Sequence, residues 1–83
     1  MPAYCYILCS IKLNKYHVGS TSDMERRLEE HNRGKEKFTK TGIPWNLEYK
    51  ERFEELQQAR KREQYIKRMK SRKYIQNLIR LGC

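Results

Sequence analysis

Residues 4–10, YCYILCS, are apolar on both faces of an extended chain, with Tyr4, Tyr6 and Leu8 on one side and Cys5, Ile7 and Cys9 on the other. A strand of this kind reads as central, because neither face can be left to water. After a polar turn around residues 12–14, the run 15–19, KYHVG, has the length and composition to return as the second arm of a β-hairpin. Gly19 ends that arm and permits a close approach of backbone to the next helix or to a ligand.

Ser22 followed by Glu25 makes a capping-box pattern and Gly34 follows the last periodic residue, so the spacing predicts a helix from about residue 23 to 32. Met24 and Leu28 form its apolar stripe. Arg27 and His31, four apart, neighbour each other at the border of that stripe, where side chains can reach over the sheet. Position alone leaves Arg27 open between a solvated charge and such a reaching group. It leaves His31 open between a helix C-terminal cation and a catalytic one. Residues 33–44, RGKEKFTKTGIP, read as an extended basic loop, Lys40 among its cations. Such a loop can clasp a phosphate or merely bridge helix and strand. From 46 to 53, Leu47, Tyr49 and Phe53 alternate with Asn46, Glu48, Lys50 and Arg52, the pattern of a half-buried third strand. Trp45 reads as core packing at its start, with base stacking as the alternative if it is exposed.

The segment 56–70, LQQARKREQYIKRMK, is the longest helix-like stretch. At about 100° per residue, Leu56, Ala59 and Ile66 share one stripe and Glu63 projects between Leu56 and Ala59 within it. A lone acid therefore faces the core. Pairing with Arg60 or Lys67 would explain it at about 0.2 to 0.5 kcal/mol per pair, and binding of a cation is the other reading. Ser71 can cap a last helix in which Tyr74, Ile75, Leu78 and Ile79 recur at helical spacing, with residues 81–83 frayed. Strand, strand, helix, strand, helix, helix makes an α+β fold, and no repeat or linker divides residues 1–83 into more than one domain.

Charge narrows the partners. Nineteen Lys and Arg against ten Asp and Glu give a net charge of +9, which favours phosphate backbones through counterion release. Eight of the fourteen residues from 60 to 73 are Lys or Arg, and Lys67, Arg68, Lys70, Arg72 and Lys73 read as phosphate contacts blind to sequence. An anionic membrane surface is the rival partner. No apolar run approaches the roughly 18 residues of a spanning helix, and the N-terminus lacks a signal-peptide pattern, so the expectation is a soluble cytoplasmic chain. Cys5 and Cys9 on one strand stand about 13 Å apart, beyond disulfide reach, and with Cys83 they form no metal-type pair, so all three read as reduced thiols. A chain this short buries only roughly 60 to 65% of its unfolded surface, so any active site is a shallow concavity.

Three features stand in one order: YCY in the first strand, HVG closing the hairpin and an arginine in the next helix. With a glutamate in a later helix, and with the block GSTSDMERRLEEHNRG and the strand PWNLEY, the chain resembles the GIY-YIG nuclease family. It is similar to small stand-alone members and to the nuclease domain of the bacterial excision-repair incision subunit. The resemblance implies a three-stranded antiparallel sheet flanked by helices and a divalent-cation-dependent cut in a phosphodiester backbone. It matches Tyr6 to the tyrosine ending the first motif, Gly19 to the glycine ending the second, Arg27 to the helix arginine, His31 to a histidine many members carry and Glu63 to the metal-binding glutamate. His17 stands where the second motif has tyrosine, Tyr4 and Cys5 replace glycine and isoleucine, and a late asparagine of some members has no clear counterpart.

The roles implied are Mg²⁺ or Mn²⁺ on Glu63, charge neutralisation by Arg27, and an attacking water oriented or deprotonated by Tyr6 with His17. A reference pKa near 6.5 for histidine against about 10 for tyrosine leaves base function open at position 17 and moves its range toward neutral pH. Two functions are therefore expected in order: a DNA endonuclease of low sequence specificity, in repair or recombination, and a non-catalytic nucleic-acid-binding module. Oligomeric state is left open.

Overall fold

In the structure, a computed structural model that describes residues 2–34 and 40–82, the doubly apolar strand is the middle one of three. Strand β1 (Ala3–Ser10) pairs antiparallel with β2 (Lys15–Thr21) on one side and with β3 (Trp45–Phe53) on the other. Helix α1 (Met24–Arg33) follows the hairpin, and α2 (Leu56–Met69) and α3 (Arg72–Gly82) follow β3. Each face of β1 has its own cover. Ala3, Cys5 and Ile7 pack with Val18 against Ala59 and Ile66 of α2, with α3 adding Tyr74, Ile75, Leu78 and Ile79. Tyr6 and Leu8 pack with Met24 and Leu28 of α1 and with Trp45. The antiparallel α+β sheet expected from the sequence is thus the fold.

Several boundaries differ from expectation for local reasons. Strand β2 does not end at Gly19 but pairs on to Thr21, whose hydroxyl exchanges hydrogen bonds with the backbone of Asp23. That extension moves the helix start by one residue. The N-cap of α1 is Asp23, not Ser22, with Asp23 Oδ1 accepting the Arg26 amide at 3.1 Å; aspartate and serine are equally good caps, and the strand end decides between them. Gly34 closes the helix as expected, in the left-handed conformation at φ 80°. At the other end, α3 continues through Leu81 to Gly82 instead of fraying. Ser71 caps it, its Oγ accepting the Tyr74 amide at 3.1 Å. Residues 35–39 of the basic loop and Cys83 lie outside the described residues.

The alternation in β3 is broken where the sequence shows it clean. Ile7 faces Tyr49 across the ladder but Leu8 faces Leu47, so Glu48 is an extra residue in β3. Leu47 therefore joins the α1 side with Tyr6 and Leu8, whereas Tyr49 and Phe53 pack on the α2 side. Beyond the bulge, Glu51 faces α2 and accepts both Nε and Nη2 of Arg62, at 3.0 and 3.2 Å, and Tyr49 donates its hydroxyl to the same carboxylate. Burial first, then the bond to Glu51, pushes the Tyr49 phenol up to about 12, so it remains a donor. Arg62 is thus a tie between β3 and α2 and not part of the solvated basic face.

Cys5 is fully buried, and burial raises its thiol to about 12, which leaves no thiolate near neutral pH. Ile66, 1% exposed, is the side chain on which α2 sits. Ile66→Ala is expected to destabilise the domain by about 2 to 5 kcal/mol, and a thermal melt should show a fall of at least about 8 °C.

Candidate active site

The bond register of β1 and β2 sets the site. Tyr6 lies opposite Gly19, and Leu8 opposite His17, so Tyr6, His17 and Gly19 share the face covered by α1. A β-carbon on Gly19 would stand 2.6 Å from Tyr6 Cζ, a separation real atoms do not occupy. Glycine is required there to admit the phenol, so what approaches its backbone is a side chain of the neighbouring strand and not the next helix or a ligand.

From the other side α1 supplies His31 and Arg27. On a helix His31 falls about 20° from Met24, inside the buried stripe, and it is 0% exposed. Its Nε2 lies 3.0 Å from the Tyr6 hydroxyl, and Arg27 Nε donates to that same oxygen at 3.3 Å. Because Arg27 can only donate, the Tyr6 oxygen accepts from it, and the same hydroxyl is hydrogen-bonded to His31 Nε2 in a direction set by the histidine tautomer. His17 completes the group, its ring 4.9 Å from that of His31 and 6.1 Å from Trp45. Arg27 Nη1 also reaches Glu30 Oε1 at 3.4 Å. Helix α1 is itself pinned by Asn32, whose side chain brackets the backbone of Trp45 with bonds of 2.6 and 3.2 Å. The sequence does not single out Asn32, since a polar side chain at a helix end carries no periodic signal.

Burial divides these residues by what they can touch. Tyr6 is 1% exposed and His31 is fully buried, so both lie behind the surface. The Arg27 side chain is 28% exposed and His17 is half-buried, so these two reach solvent.

Glu63 sits on the other face of the sheet. Its Oε1 accepts the hydroxyl of Ser20 at 2.6 Å, and its Oε2 holds the Lys67 ammonium at 2.7 Å. Ser20 follows Gly19 in β2 and pairs with Cys5, which faces α2. The edge strand β2 therefore lies between the Tyr6–His17–Arg27–His31 cluster and Glu63, and the successive residues Gly19 and Ser20 contact one each. Ser20 is invisible in the sequence because its role depends on which side chain of α2 crosses the edge. Of the basic residues, Lys70 and Lys73 are exposed and Lys40 is exposed near Gly34, whereas Arg72 is committed to the hairpin turn.

A tyrosine of the central strand is thus held between arginine and histidine on one face of a three-stranded antiparallel sheet, with a glutamate on the other face beside the edge strand. The chain belongs to the GIY-YIG catalytic domain family, whose model matches residues 2–76. Relatives include a UPF0213 protein of Streptococcus pneumoniae, 39% identical over 82% of this chain and 69% of its own length. One of Syntrophus aciditrophicus is 41% identical over 88% of this chain and 85% of its own length. The solution structure of a UPF0213 protein from Bacillus halodurans superposes with a TM-score of 0.61 at 32% identity, covering 99% of this chain and 87% of the other. Among the described residues, no helix is long and apolar enough to cross a membrane.

Proposed function

We propose that the chain is a divalent-metal-dependent endonuclease that hydrolyses phosphodiester bonds in DNA with low sequence specificity, in repair or recombination. The observation that carries this reading is the Arg27–Tyr6–His31 chain behind Gly19, which holds one partly exposed arginine in a fixed place. Arg27 pairs with the phosphoryl oxygens, its planar fork meeting them bidentately as charge develops. Tyr6 and His31, buried behind it, are positioning residues. His17 is the half-exposed group that accepts a proton from the attacking water, the task shared with Tyr6 in the sequence-based expectation.

Glu63 fits a magnesium or manganese ion. Its carboxylate is 19% exposed and already holds a cation, the Lys67 ammonium. Among the described residues no group of three or more His, Cys, Asp or Glu could hold a metal. A single carboxylate suits an ion that keeps most of its waters and takes substrate phosphate oxygens as further ligands. When bound, such an ion supplies charge neutralisation at the phosphoryl oxygens.

The Lys67 contact also favours a second reading, a nucleic-acid-binding module without catalysis, in which lysine stands permanently where the ion would be. A cleavage assay over branched, nicked, duplex and single-stranded DNA, and over RNA, separates the two. Nicking of DNA with Mg²⁺ or Mn²⁺ that stops on chelation is expected. Binding without any cut under either metal would leave the second reading in its place.

A further inference from the structure

On the α2 side of the edge strand a cavity of about 380 Å³ opens between β2, the end of α2 and the start of α3. Its lining combines Ile66 and Ile75 with the cations Lys15, Lys67, Lys70 and Arg72. The volume lies at the small end of ordinary ligand sites. The cations are not alike. Arg72 donates to the carbonyl and Oδ1 of Asn14 at 2.7 and 2.6 Å and lies 5.0 Å over the Tyr16 ring, so its donors are already engaged at the wall of the cavity. Lys67 is shared with Glu63. Lys15 and Lys70 are exposed, and among the described residues neither makes an ion pair.

Lys70 adds a second observation. It ends α2 at φ 49° and ψ 36°, a left-handed conformation in which a β-carbon costs roughly 1 kcal/mol and which glycine or asparagine adopts more easily. A lysine standing at such a position, on the rim of a basic cavity, points to a use for its ammonium.

We propose that this cavity is a subsite for one sugar–phosphate unit of a nucleic-acid strand, the phosphate held by Lys15 and Lys70 and the sugar resting on Ile66 and Ile75. This rests on the reading that the chain acts on nucleic acid. A charged rim over an apolar floor matches the alternation of phosphate and sugar along a backbone. Because β2 is an edge strand and its His17, which belongs to the cluster with Arg27, also lines the cavity, a nucleic-acid strand crossing the unpaired side of β2 can run from one to the other. The subsite sets which neighbouring phosphate is gripped while another lies at Arg27, and Lys67 links it to Glu63.

The test is fluorescence anisotropy of labelled single-stranded and duplex oligonucleotides over a range of salt, in chelator so that nothing is cut. Wild type is compared with Lys15→Gln combined with Lys70→Asn. The double variant is expected to bind about tenfold more weakly. Its log–log salt slope should be shallower by about 0.7 for single strands, or about 0.9 for duplex, for each phosphate no longer gripped. Lys70→Asn alone should melt at or above wild type, because asparagine tolerates the left-handed conformation. Unchanged affinity and slope in the double variant overturn the subsite, even if the protein cuts DNA. Absence of oligonucleotide binding by wild type, with inorganic phosphate alone shifting the NMR signals of Lys15 and Lys70, overturns it too. A chain whose binding depends on Lys15 and Lys70 but which never cuts sustains the subsite and defeats the endonuclease reading.

Discussion

Glu63→Gln is expected to lower metal-dependent cleavage by about 10²-fold or more while leaving the fold in place. The neutral side chain keeps an oxygen for the Ser20 hydroxyl, now 2.6 Å from Oε1, but no longer offers a charge to a divalent cation. A loss of this size is what removal of one group aimed at developing charge does in a preorganised site. Stability should change little. The pair with Lys67 is half in solvent on the lysine side, with 51% of that side chain exposed, and such pairs contribute only about 0 to 1 kcal/mol. The melting temperature should therefore fall by less than about 8 °C. Cleavage rate at saturating Mg²⁺ and a thermal melt, run on the same preparation, are the measurements. Cutting at the wild-type rate would remove Glu63 from the site.

The second large effect is expected at Gly19. Gly19→Ala sets a methyl group 2.6 Å from Tyr6 Cζ, and the ring has nowhere to go: it is 1% exposed and its hydroxyl is bonded to both His31 and Arg27. Overpacking of this kind costs about 1 to 3 kcal/mol. Whatever relieves it moves the phenol and with it the guanidinium, and a displacement of roughly 1 Å can lower a rate by about 10²-fold. Gly34→Ala is the control. At φ 80° it should cost a similar order, about 1 kcal/mol, for backbone reasons, yet leave the cleavage rate of the folded protein unchanged. Equal losses of rate in the two variants would mean that Gly19 serves stability alone.

The elements of the fold are legible in the sequence because their signals are local. YCYILCS reads as a strand covered on both faces, and the stripe of Leu56, Ala59 and Ile66 reads as one face of a helix, and both elements form. Differences gather where a neighbour decides. The choice of Asp23 over Ser22 as the cap follows from how far β2 pairs, and the bulge at Glu48 moves Leu47 to the opposite face from Tyr49. Of the site, the order of Tyr6, His17, Arg27 and Glu63 stands in the chain, and Gly19 reads as a point of close approach. The contacts that hold them do not: Ser20 on Glu63, and Arg27 and His31 on Tyr6, join segments far apart in sequence.

The sequence by itself determined that this protein has a doubly covered central strand, a basic surface and a single acid facing inward on its long helix, because apolar period and charge are properties of the chain. Only the tertiary structure decided that Tyr6 and His31 are buried behind Arg27, that Glu63 stands across the edge strand from them, and that four cations surround one cavity. Side-chain reach over a strand edge depends on register and bulges, and those arise when distant segments pair.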